Sequence, residues 1–156
     1  MENTARKEDE FGFVEEDTQK DKYLTFSLAE EVYAIDICYV TEIIGILKIT
    51  KVPDMPPFIK GVINLRGKVI PVMDVRARFS LPARDYDERT CVVVVNVAEN
   101  AMGLVVDHVN EVMDIPAAQV EPAPAGNSPG GGKYVKGIGK VDDEVKILLD
   151  VECLVD

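Results

Sequence analysis

Apolar and polar residues along this chain fall into short runs of five to eight, the length of strands, many with the alternation of a half-buried sheet. "YLTFSL", "VYAIDI", "EIIGILKI", "GVINL" and "KVIPVMDV" form a first series; "CVVVVNV", "MGLVVD", "NEVMDI", "YVKGIG" and "VKILLDV" form a second. Clusters of Gly, Pro, Asp and Asn separate them, supplying turn conformations that other residues resist. Short helices are permitted near Val75 to Leu81 and at Val151 to Val155, one closing each series. The pattern predicts a mainly β protein built from two units of about five strands, the size of small barrels or rolled sheets.

The two series repeat each other. A shift of 69 residues lays "FSLAEEVYAIDICYVTEII" over "VNVAENAMGLVVDHVNEVM" without a gap, so that Val40, Glu42 and Ile44 match Val109, Glu111 and Met113. A shift of 76 lays "FIKGVINLRGKVIPVMDV" over "YVKGIGKVDDEVKILLDV". The seven extra residues of the second copy lie between Met113 and Tyr134, where "PAPAGNSPGGGK" reads as a surface loop. "LPARDYDER", Leu81 to Arg89, is the passage between copies.

Residues 1–22 carry eight acidic and four basic side chains with few apolar ones, which predicts a flexible acidic tail ahead of the folded part. The whole chain has 156 residues and a formal net charge of -11, which argues against nucleic acid, whose binders concentrate Lys and Arg. No apolar run reaches the roughly 18 residues needed to span a bilayer, and the first residues lack the apolar segment of a secretory signal, so a cytoplasmic location is expected. Cys38, Cys91 and Cys153, odd in number and set among aliphatics, are expected to be buried thiols in a reducing compartment.

Candidate chemistry is sparse. His108 is the one histidine, so a transition-metal site lacks ligands. "SPGGGKY" misses the phosphate-loop spacing and precedes a strand, not a helix. Asp36, Asp74, Asp107 and Asp150 sit at strand ends, where aspartates cap the following turn. No catalytic residue and no cofactor are expected, although a small hydrolase using His108 with Asp107 is the rival of a different class.

The copies differ most at one turn. Asn64-Leu65-Arg66-Gly67-Lys68 in the first faces Lys140-Val141-Asp142-Asp143-Glu144 in the second. Gly67 supplies positive φ for the turn, whereas nothing in the fold asks for Arg66. Its planar fork suits a carboxylate, and Glu42 is the candidate. The second copy has Glu111 and Asp142 at these places, so an ion pair is expected in the first copy only.

"FIKGVINLRGKVIPVMDVRARF", with "YAIDICYVTEI" before it and "GLVVDHVNEVMDI" after, resembles the CheW family of chemotaxis coupling proteins, from about Tyr23 to the end. The resemblance implies two SH3-like five-stranded β-barrel subdomains around a shared core: about 23–80 plus the C-terminal end, and about 90–151. It implies a non-catalytic adaptor that binds the cytoplasmic tip of chemoreceptors and the regulatory domain of the histidine kinase CheA, in arrays at the inner face of the membrane. It carries the receptor surface onto Val40, Glu42, Ile43, Gly61, Arg66, Gly103 and Val112. Kinase contacts are implied at one end of the first barrel and near the loop after Ile115. That loop, "VEPAPAGNSPGGG", lacks the aromatic or basic residue that some relatives have. A CheW-like scaffold serving a pathway other than chemotaxis is the alternative.

Overall fold

In the strand Cys91–Val97 the unbroken run of valines is buried throughout, and alternate residues serve two different cores. Val93 and Val95 enter a large central cluster with Leu24, Phe26, Leu28, Ile35, Met73 and Leu104, while Val92 and Val94 enter a smaller one with Ile63, Ile70, Val72 and Val105. A strand with two apolar faces must be covered on both sides, which is why this segment shows no polar alternation.

The structure, a computed structural model, describes residues 20–123 and 131–155. Most of the expected acidic tail, and residues 124–130 of the expected surface loop, lie outside the described residues. The elements are β1 (Lys22–Leu28), β2 (Glu31–Asp36), β3 (Val40–Gly45), β4 (Ile59–Leu65), β5 (Lys68–Asp74), α1 (Val75–Arg78), β6 (Cys91–Val97), β7 (Asn100–Val106), β8 (His108–Asp114), β9 (Val120–Pro122), β10 (Val135–Val141), β11 (Glu144–Leu149) and α2 (Val151–Val155). The fold is mainly β, in two sheets. One is six-stranded, ordered β8-β1-β2-β11-β10-β9; the other is five-stranded, ordered β3-β6-β7-β5-β4.

The sheets are not one per sequence copy. Each copy lends its first hairpin to the other: β1–β2 joins β8 to β11, and β6–β7 joins β3 to β5. Two equivalent parallel ladders make the exchange, Ala34 beside Leu148 and Gly103 beside Val72. Beside the expected partition, about 23–80 plus the C-terminal end and about 90–151, each sheet takes strands from both copies. The physical reason lies in the two-faced hairpins, whose outer faces are buried only when both units wrap the central cluster. Such reciprocal contact is the pattern of a two-fold interface, here within one chain.

Each sheet closes on itself through the continuation of its edge strand. After β3 the chain crosses to meet β4 at an isolated bridge, Thr50 to Val62, and after β8 it returns as β9 beside β10. The run "EIIGILKI" is therefore shorter as a strand than expected: β3 leaves the β6 ladder at Gly45, opposite Cys91, to make this crossing. Glu121 pairs with Ile138 where Thr50 pairs with Val62, so two of the seven extra residues precede Glu121 and five follow it.

The cysteines correct an expectation. Cys38 and Cys153 are exposed and Cys91 is half-buried, because the first two lie on the short turn after β2 and on the outer side of α2.

Candidate functional site

At the tip of the β4–β5 hairpin both Arg66 and Gly67 adopt positive φ, 54° and 84°. This is the mirror-image turn whose twist suits a two-residue hairpin loop. Asn64 Oδ1 accepts from the Gly67 N–H at 2.9 Å and pins the turn. The second copy makes the same turn with Asp142 at 52° and Asp143 at 65°. Aspartate tolerates this backbone through local hydrogen bonding, whereas a long arginine gains nothing from it. Arg66 is thus held at a position that its backbone disfavours.

Its side chain spans the seam of the five-stranded sheet. Arg66 Nη1 donates to Glu42 Oε2 at 2.8 Å and Nη2 to Oε1 at 2.6 Å, a bidentate fork joining the β4–β5 tip to edge strand β3. The Arg66 side chain is 69% exposed and that of Glu42 29%. Arg66 hydrogen bonding and charge hold the Glu42 carboxyl below its usual range, and Glu42 in turn raises Arg66. Ile43, the next residue of the same edge strand, is 43% exposed, and strand alternation turns it to the opposite face of β3 from Glu42.

The other residues separate into two kinds. Val112, which the repeat matches to Ile43, is 49% exposed on β8, the edge of the six-stranded sheet. Val40 is half-buried against the central cluster. Gly61 and Gly103 are buried and present no side chain. A Cβ on Gly61, whose φ is +146°, would fall on the Thr50 carbonyl, so this glycine admits the crossing segment that closes the sheet. A Cβ on Gly103 would meet Val92 Cγ1 at 2.7 Å. Gly61 thus lies on edge strand β4, whereas Gly103 lies on the central strand β7 and leaves room for the interior valines.

The strand-end aspartates are occupied. Asp36 accepts from the Cys38 N–H, Asp74 from the Ala77 N–H and the Tyr86 hydroxyl, and Asp150 from the Cys153 N–H. Asp107 receives Arg76 through two nitrogens at 2.8 and 2.7 Å, and the Ala29 N–H at 2.9 Å. Burial alone would raise Asp107, but these partners and Arg84 hold it below the usual carboxylate range. A carboxylate so engaged is not available to orient His108, which pairs across the ladder with Ser27. Although Cys38 is exposed as a residue, partial desolvation of its thiol, then Asp36, pushes it up to about 11, so it stays protonated at neutral pH. Among the described residues no three His, Cys, Asp or Glu side chains are grouped to hold a metal, and no helix is long and apolar enough to cross a membrane.

The chain as a whole has counterparts among known proteins. The model of the CheW-like domain family matches residues 22–156. The chain belongs to the CheW family. It is 39% identical to the chemotaxis protein CheW of Klebsiella aerogenes over 88% of this chain and 83% of that one. It is 32% identical to the chemotaxis protein CheW of Helicobacter pylori, over 94% and 89%. The crystal structure of the scaffolding protein TtCheW from Thermoanaerobacter tengcongensis shares 40% identity, with a TM-score of 0.78 over 83% of this chain and 88% of that one.

Within this CheW-like chain, sequence reasoning missed a group of exposed apolar residues. Leu47, Val52 and Met55, each about 40% exposed, stand on the β3–β4 connection. The missed signal was "KVPDMPP", whose three prolines forbid a strand yet leave aliphatics with no ladder to bury them.

Proposed function

We propose that this chain is a non-catalytic adaptor that holds the cytoplasmic tips of chemoreceptors and the regulatory domain of CheA in one array at the inner face of the membrane. The receptor face is the edge formed by Val40, Glu42, Ile43 and Arg66, extended to Val112 and shaped by Gly61 and Gly103. The observation that carries it is Arg66, kept in a left-handed turn and forked onto Glu42 of an edge strand that also exposes Ile43, where the second copy uses two aspartates. An apolar strip with an orienting ion pair fits the amphipathic face of a receptor helix. The exposed apolar residues of the β3–β4 connection, Leu47, Val52 and Met55, are the second face, for the kinase domain. An adaptor needs two such faces, and its coupling is a linkage between binding sites that requires no bond chemistry.

Calorimetric titration of the full chain against a receptor-tip fragment, and separately against the CheA regulatory domain, tests this. Saturable binding to both is expected, with Arg66→Ala weakening the receptor complex and Met55→Glu the kinase complex. Binding to neither would leave a CheW-like scaffold of another pathway.

A further inference from the structure

Where the two halves meet, one arginine touches both. Arg78, on α1 of the five-stranded half, places its guanidinium carbon 4.1 Å from the centre of the Phe58 ring and 4.8 Å from that of Tyr134. These rings are repeat equivalents: Phe58 leads into β4 and Tyr134 into β10. Their backbones are tied alike, Phe58 O accepting from the Asp74 N–H at 2.8 Å and Tyr134 O from the Asp150 N–H at 2.7 Å. Arg78 Nε also donates to the carbonyl of Leu154 on α2 at 3.2 Å. Leu154 is itself the repeat equivalent of Arg78.

A molecule with two-fold internal symmetry has room for only one side chain on its axis, so the copies must differ there. The first copy places an arginine over both rings; the second withdraws a fully buried leucine and offers its carbonyl. The neighbouring Phe79 repeats the insertion, standing 5.6 Å from Tyr33 and 5.7 Å from Tyr134, both rings of the six-stranded half. Arginine suits the place because its flat cation satisfies two π faces and a carbonyl together, which a lysine's point charge does not.

We infer that Arg78 is a positioning residue that fixes the angle between the two halves. The receptor face draws on both halves, with Glu42, Ile43 and Arg66 on one sheet and Val112 on the other. A fixed angle therefore sets the spacing of the receptor anchors; this consequence for binding rests on the adaptor function proposed above.

Residual dipolar couplings of the full chain measure the angle directly. In the wild type, amides of both sheets should fit one alignment tensor. In Arg78→Ala each sheet should still fit its own tensor, showing that it is folded, while the two tensors diverge. Arg78→Lys should diverge partly, and receptor-tip affinity should fall by about tenfold in the alanine variant. If Arg78→Ala does not fold, Phe58→Leu, which removes one ring, takes its place. A single shared tensor in the folded variant overturns the inference. Failure of the wild type to bind the receptor tip sinks the adaptor function and leaves the tensor result standing.

Discussion

The interiors of the two closed sheets occupy equivalent positions and are filled differently. In the five-stranded sheet Ile63 and Ile70 face each other across the ladder, both nearly inaccessible, with Val72, Val92, Val94 and Val105 around them. The six-stranded sheet has Gly139 opposite Lys146 at the same place, then Leu148, Tyr23 and Thr25, and a half-exposed Asp36 where the other sheet has Val105. Ile115, fully buried, fills the space over Gly139, where a Cβ would come within 2.9 Å of its Cγ2. The Lys146 stem lies inside and its ammonium reaches Glu144 at 2.8 Å. One backbone plan thus tolerates an aliphatic interior or a partly polar one, provided that the central cluster between the sheets is intact.

Exchanging the two interiors gives the largest effects. Ile70→Lys should destabilise by about 4 kcal/mol, because Ile63 already occupies the room that Gly139 leaves for the lysine stem. Lys146→Met should be neutral or stabilising by about 1 kcal/mol, since it keeps the stem and removes a buried charge. Urea unfolding of both variants checks the pair, and equal losses would erase the distinction. The closing segments give the next contrast. Gly61→Ala puts a methyl onto a backbone carbonyl at a positive φ and should cost about 3 kcal/mol. Gly137→Ala meets Val120 Cγ1 at 2.9 Å and the Glu121 carbonyl at 3.1 Å, so partial adjustment should limit its cost to about 1–2 kcal/mol.

The halves are also latched unequally. Arg76 of α1 grips Asp107 with both side chains nearly buried, whereas the equivalent residue of α2, Glu152, accepts one exposed hydrogen bond from Tyr39 at 2.8 Å. Asp107→Asn should cost about 2–3 kcal/mol at neutral pH, and Tyr39→Phe less than about 1 kcal/mol. The acid limb separates them further. A carboxyl lowered by folding contributes fully above its unfolded value near 4 and loses that contribution as pH falls toward its lowered one. Chemical denaturation at pH 7 and at about pH 3 should therefore show a smaller Asp107→Asn penalty in acid, while the Tyr39→Phe penalty changes little between the two.

Strands and repeat were legible because hydrophobic runs and turn residues are local signals. Ten of the eleven strands lie at the runs read from the chain; β9, only three residues ending in Pro122, has too little pattern to stand out. The meeting of Arg66 with Glu42 was legible from charge reversal between copies. The exchange of hairpins was not, because pairing β2 with β11 leaves the same run in the sequence as pairing it within its own copy. Cys38 and Cys153 were misread because aliphatic neighbours in sequence do not fix which side of a short turn faces water. Lys146 escaped notice because a lysine between valine and isoleucine in a strand reads as an outward residue, whereas alternation puts it on the inward face with Leu148 and the opposing Gly139 leaves it room.

The smallest expected effect on the fold tests the sharpest difference between copies. Arg66→Asn replaces a residue that gains nothing from left-handed backbone with one that tolerates it well, as the aspartates of the second copy do. The turn should be relieved while the fork to Glu42 is lost, and the pair is exposed, so the melting temperature should move by no more than about 2 °C. Receptor-tip binding should fall nonetheless, because the group that orients the edge is gone. Should the variant melt markedly lower, the ion pair is a structural staple across the seam of the sheet. Unchanged melting with unchanged binding would mean that the first copy keeps its arginine for a partner other than the receptor.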